Sequence, residues 1–317
     1  MTIANGFRHF FIHCRILFHS TAMAKSRNFW YHILAVITVA IWGTTFVSTK
    51  ILIGNGLNPT EIFLYRFVLA YAGILFVAGK RMFANNLWDE LTLLLAGITG
   101  GSLYFITENT ALQLTTASNV AMIIAITPLL TTLLSSLFFK SERLHRPMRV
   151  IAGSLIALVG VAAVVYNGNF VLKINPLGDV LSFAAAFSWA VYSLLIKRIT
   201  KRYPTMFVTR KVFGYGILTM LLYQLVHPTT FHWSALTATS VWTNLLFLGL
   251  IASMACFAVW NLIVKKIGTV KPSNYLYINP VVTMITASLI LGEQVTLLSL
   301  AGITGVLLGV YISEHRR

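Results

Sequence analysis

Two stretches of sequence decide the fold: Trp42-Gly43-Thr44-Thr45-Phe46-Val47-Ser48-Thr49-Lys50 and Trp189-Ala190-Val191-Tyr192-Ser193-Leu194-Leu195-Ile196-Lys197. Each lies in an apolar run, and each places a Lys eight residues after a Trp, at an offset of 147. Further pairs follow in the same order. Asn109 and Asn261 precede Pro128 and Pro280 by 19 residues each, and Gly153 and Gly160 recur as Gly302 and Gly309, seven apart. Pro59 and Arg66 are echoed, one residue tighter, by Pro204 and Arg210. One such pair would be chance; an ordered set is what duplication of a unit leaves behind.

Around these stretches, apolar runs fall at about 33–53, 62–79, 91–112, 118–139, 149–166, 178–196, 206–226, 241–263, 273–291 and 296–312. Their lengths match the roughly 20 residues that cross a hydrocarbon core. The expected fold is an all-α integral membrane protein with ten transmembrane helices. Each repeat holds five spans. Five is odd, so the second repeat enters from the opposite side and the two are inverted. That build recurs in secondary transporters, with the substrate site near the midplane between the halves. The expected organisation is an N-terminal tail over 1–29, a first five-helix repeat over 30–166, a linker over 167–177 and a second repeat over 178–313.

Composition agrees. The 317 residues are 57% hydrophobic and 10% charged, with a mean hydropathy of +0.79, whereas soluble domains carry roughly 25% charged residues. A soluble globule is excluded. A β-barrel is disfavoured because its strands alternate over about ten residues, and these runs do not. The net charge of +16 would suit nucleic acid if the basic residues shared one solvated face, but they sit in short clusters between apolar runs. Arg8, Arg15, Lys25 and Arg27 precede the first run. Lys80 and Arg81; Lys140, Arg143, Arg146 and Arg149; Lys197, Arg198, Lys201 and Arg202; Lys265, Lys266 and Lys271; and Arg316-Arg317 mark every second connection and the C-terminus. The intervening connections hold only Lys173. This asymmetry places both termini in the cytoplasm. Cys14 and Cys256 give neither a disulfide framework nor a zinc spacing.

The first 22 residues stand apart, because His13, Arg15 and His19 interrupt their apolar stretches and no signal-peptide core forms. Met23, opening Met-Ala-Lys-Ser-Arg-Asn, is the expected initiator; the competing reading is a short interfacial helix.

The Trp-Gly-x6-Lys of the first run resembles the drug/metabolite transporter superfamily, EamA type. So do Arg66 in the second run, the mid-helix prolines Pro128 and Pro280, and the glutamates closing runs four and nine (Glu142 and Gly292-Glu293). The resemblance covers about residues 30–313. It implies ten helices in two inverted five-helix units that move small metabolites, commonly outward. Lys140-Ser141-Glu142 departs from the pattern, which would place a glycine before the glutamate.

Ionisable residues inside a span are expensive and face a cavity or a partner. Lys50, Arg66 and Glu108 come from three consecutive runs at similar depth, as candidates for a gate or an anion anchor, with Glu108 a candidate proton site. A structural ion pair among them is the competing reading. Glu108 has no twin, since Trp260 stands at its position in the second repeat. Lys197 and Arg210, at matching positions of the second repeat, read as topology charges that snorkel to the interface. Pro128 and Pro280 each free a backbone carbonyl, which Thr127 and Asn279 directly before them could satisfy or turn toward a cavity; a functional hinge or cavity wall and a plain helix kink are the two readings. The candidate substrate cavity comprises Trp42, Thr45, Tyr104, Asn109, Trp189, Tyr192, Asn261, Tyr275 and Asn279, aromatic and polar residues deep in their runs. Gly97 with Gly101 and Gly305 with Gly309 are small-residue faces for close helix approach.

No catalytic residue, cofactor or metal site is expected, and no phosphate-binding loop is present for ATP drive. The reading is a secondary transporter of the bacterial inner membrane that exports or exchanges a small polar metabolite by alternating access. Its partners are that metabolite and the lipid bilayer, with proton coupling and a homodimer left open and no nucleic acid. The rival reading is a membrane-embedded enzyme on a helical scaffold, which inverted repeats disfavour because an enzyme needs one chemical centre.

Overall fold

A computed structural model of the chain describes residues 3–115, 117–140, 147–166, 175–291 and 297–314. Glu142 and Gly292-Glu293 lie outside the described residues. Each of the ten apolar runs is helical: α1 (Ile3–Gly54), α2 (Pro59–Leu75), α3 (Leu87–Leu114), α4 (117–138), α5 (Pro147–Tyr166), α6 (Pro176–Ile199), α7 (Thr205–Val226), α8 (Thr239–Ile267), α9 (270–291) and α10 (Leu297–Glu314). Among the described residues, four helical stretches are long and apolar enough, by length and composition, to cross a bilayer: Phe29–Gly54, Leu87–Leu114, Pro176–Ile199 and Thr239–Ile267. Large apolar side chains such as Phe76, Leu137, Leu225 and Leu289 are left exposed, as lipid-facing positions are in a helical membrane protein.

The sequence dictates the helix ends. Asn58 caps α2 in a reciprocal box with Glu61, at 2.8 and 2.9 Å, and Pro59 opens the helix where no amide partner is needed. Asn86 caps α3, and Asn175 caps α6 ahead of Pro176.

The helices of the two halves interleave. α6 of the second half packs on α3 and α4 of the first, while α1 of the first packs on α8 and α9 of the second. α2 lies against α7, and α5 against α10. The last pair approaches so closely that a Cβ on Gly160 would lie 2.5 Å from the Val306 amide nitrogen. At the end carrying the basic connections, Asp89 accepts from Arg202 (2.6 Å) and Tyr203 (2.8 Å), and Glu90 pairs with Lys211 and Tyr215. At the opposite end the buried Glu61 accepts from the backbone amide of His232, whose Nδ1 lies 3.1 Å from Glu61 Oε2. Both ends are therefore bonded between the halves.

Two helices bulge and two break. π-helical turns occupy Ile98–Ser102 in α3 and Phe247–Ala255 in α8, corresponding places in the two halves and a feature often found near functional sites. The first admits Tyr192: a Cβ on Gly100 would lie 2.2 Å from that ring, which Asn261 holds by its hydroxyl at 2.8 Å. Gly100→Ala is expected to cost about 1–3 kcal/mol through overpacking, read as a lower unfolding midpoint in detergent.

At each proline the regular α-helical pattern is interrupted. α4 stops at Ile124 and restarts at Thr127 with Pro128 in the new first turn. The carbonyl of Ile124, four residues before the proline, accepts from Thr127 Oγ1 at 2.6 Å. In α9 a 3-10 turn over Tyr275–Ile278 precedes the helix Asn279–Leu291, and the Asn279 amide takes the Leu276 carbonyl that Pro280 cannot. A proline tolerated in a first turn fits both breaks.

Candidate functional site

A cavity lies where α1 and α6 meet, walled by all four interrupted helices. α1 supplies Trp42, Thr45 and Phe46, and α2 supplies Arg66. Tyr104, Phe105 and Glu108 come from α3, Ile124 and Thr127 from the α4 break, Trp189 from α6, Phe257 from α8, and Leu276 and Asn279 from the α9 break. The breaks at Ile124 and Thr127 in α4 and at Leu276 and Asn279 in α9 thus line the cavity, a place where a membrane protein tolerates irregular backbone.

One wall is aromatic. The Trp42 and Trp189 rings meet edge-on at 5.1 Å between centroids, and Phe257 stands edge-on to Trp189 at 5.4 Å. Trp42 Nε1 donates to the Ala252 carbonyl (2.9 Å) in the α8 π turn, which locks its ring. Trp260, fully buried, packs 5.0 Å from Trp42 and does not line the cavity.

The other wall is charged. Arg66 is 2% exposed; its Nε donates to Ser253 Oγ at 3.0 Å, and its guanidinium lies 4.2 Å from the Phe105 ring centroid. Glu108 is 6% exposed and accepts from the Tyr104 hydroxyl at 3.0 Å. Among the described residues no ion pair within 4.0 Å joins Arg66 to Glu108. Arg66 and Glu108 thus line one cavity, both buried, without a direct ion pair among the described residues.

Of the residues expected at the cavity, Trp42, Thr45, Tyr104, Trp189, Asn279, Arg66 and Glu108 line it. Four expected cavity residues do not. Asn109 donates to the Pro59 carbonyl (3.2 Å), tying α3 to α2, and Asn261 donates to Thr209 (3.0 Å), tying α8 to α7 while receiving Tyr192. Tyr275 shares a hydrogen bond with His32 at 2.8 Å. Lys50 also stands apart: its ammonium donates to the carbonyls of Leu112 and Thr115 at the C-terminal end of α3, where a helix dipole favours a cation. It makes no ion pair with Glu108 among the described residues, so the expected cluster of three charges reduces to two. Lys197 and Arg210 are buried: Lys197 Nζ lies 4.2 Å from the Phe139 ring centroid, and Arg210 donates to the Gly79 carbonyl at 2.8 Å, beside the basic connection at Lys80 and Arg81. Phe105, Phe257, Leu276 and Ser253 were not foreseen.

Two stretches of the chain, residues 29–166 and 176–314, match the model of the EamA-like transporter family. The chain belongs to this family. It is an all-helical, multi-pass membrane transporter and not an enzyme. Among its relatives, an "Uncharacterized transporter" of Archaeoglobus fulgidus is 26% identical over 296 residues, covering 90% of this chain and 98% of the relative. A "Probable amino-acid metabolite efflux pump" of Salmonella typhimurium is 28% identical, covering 88% and 93%. A "Probable terminal-alkyne amino-acid exporter" of Streptantibioticus cattleyicolor is 28% identical, covering 93% and 95%. A solved crystal structure superposes with a TM-score of 0.69 at 20% identity, over 91% of this chain and 96% of that one. This last likeness is one of fold.

Proposed function

We propose that this EamA-family protein exports an amino-acid-type metabolite across the bacterial inner membrane by alternating access, using ten spans in two inverted repeats, 30–166 and 178–313. The observation that carries the substrate reading is the pair of buried, unbridged opposite charges, Arg66 and Glu108, in one cavity with an aromatic wall. A zwitterion is the small molecule that satisfies both at once: its carboxylate meets the guanidinium fork, and its ammonium meets Glu108. The side chain then rests on Trp42, Trp189 and Phe257. The names of the Salmonella and Streptantibioticus relatives supply the direction and the class.

The paired π turns, the paired proline breaks and the equivalent ties made by Asn109 and Asn261 support the two-repeat reading. Reporter fusions test the topology. Those after Lys80, Lys201 and Lys266 should read cytoplasmic and those near Asn55 and His232 extracytoplasmic; a mixed result within either set contradicts ten spans.

Transport is tested by reconstitution into liposomes with a panel of amino acids, with and without a pH gradient. Counterflow of at least one zwitterionic amino acid is expected, and none for nucleosides or sugars. Transport confined to non-zwitterions overturns the proposal.

A further inference from the structure

The cavity holds more polar valence than a bare zwitterion uses. Its neutral polar groups are nearly all committed. Trp42 Nε1 donates to Ala252, Thr45 Oγ1 to the Trp42 carbonyl (2.7 Å), Thr127 Oγ1 to Ile124, and the Tyr104 hydroxyl to Glu108. Among the described residues, Trp189 Nε1 and Asn279 Oδ1 are buried without a hydrogen-bond partner, on residues that are 5% and 7% exposed and that both line the cavity. They come from α6 and the α9 break, elements that carry neither Arg66 nor Glu108. Buried polar groups in native proteins are almost always paired, so a donor and an acceptor left open in the wall of a ligand cavity mark where a ligand supplies the complement.

We infer that Trp189 and Asn279 form a side-chain subsite for a neutral group that both accepts and donates a hydrogen bond, such as a hydroxyl or a primary carboxamide. A charged group would find no counter-charge there, and a purely apolar one would leave both atoms unpaired. The subsite rests on the zwitterion reading, since Arg66 and Glu108 must first fix the α-carbon end. It adds a preference among amino acids that this reading alone does not contain.

Isosteric pairs test it: threonine against valine and asparagine against leucine, which exchange a polar group for methyls of similar shape. Equilibrium binding is measured on the purified full-length protein in detergent. The polar member of each pair is expected to bind about tenfold tighter, because its apolar twin leaves a buried donor and acceptor unsatisfied. Trp189→Phe and Asn279→Leu should each shrink that ratio to within about threefold, with valine and leucine still bound. Valine and leucine binding also reports that each variant is folded, and where one variant does not fold the other carries the test. Equal binding of both members by the wild type, or a ratio unchanged in a folded variant, overturns the subsite while the zwitterion reading stands. Binding of none of the four amino acids overturns both.

Discussion

Arg66→Gln is expected to reduce amino-acid counterflow in proteoliposomes by about a hundredfold at substrate concentrations below saturation. The guanidinium is enclosed by Phe105 on one face and steered by Ser253 on its Nε, which leaves its remaining donors for the cavity. Removing the charged partner of a buried ion costs roughly 3–5 kcal/mol when the other ion stays in place, and each 1.4 kcal/mol is about tenfold in affinity. Arg66→Lys keeps the charge but not the planar fork, so it should recover only a small part of the loss. Membrane yield and monodispersity separate a binding defect from a misfolded protein. Ser253→Ala, which removes only the steering bond, should give a milder defect of the same kind.

The second large effect is expected at Glu108. Glu108→Gln preserves shape and the hydrogen bond from Tyr104 while removing charge and proton exchange. Exchange of substrate against substrate should weaken about tenfold or more, and the response to an imposed pH gradient should disappear. The reasoning is that proton and substrate ammonium compete for one carboxylate, so occupancy by either excludes the other. Quantifying uptake across a series of external pH values checks this. A Gln variant that keeps the wild-type rate and pH profile would reduce Glu108 to scaffolding.

Charge and polarity inside an apolar run are rare, and for that reason Arg66, Glu108, Tyr104, Trp42 and Trp189 stood out from the residues alone. Phe105, Phe257 and Leu276 could not, because an apolar side chain facing a cavity has the same one-dimensional signature as one facing lipid. Asn109 and Asn261 misled for a related reason. A polar group in a span needs a partner, and here a neighbouring helix supplies it, through the Pro59 carbonyl and the Thr209 hydroxyl. Lys50 misled through its length, since a four-carbon stem at the right depth reaches carbonyls as readily as carboxylates. Lys197 and Arg210 looked interfacial because they sit beside other cations, yet interleaving of the two halves covers them. The helices themselves were legible throughout, because the bilayer requires long apolar runs. The breaks at Pro128 and Pro280 were half legible: proline announced the lost amide and Thr127 stood beside it, but the 3-10 turn before Pro280 is local geometry.

The central claim is that one cavity reads both ends of a zwitterion, and competition in counterflow tests it most directly. Proteoliposomes loaded with a transported amino acid are challenged with three competitors of the same side chain: the amino acid, its decarboxylated amine and its deaminated carboxylic acid. The intact amino acid should compete fully, and each half-molecule should need roughly a hundredfold higher concentration, because each leaves either Arg66 or Glu108 buried and unpaired. Equal competition by the amine or by the acid would contradict the account, since that charge would then have no counterpart in the site.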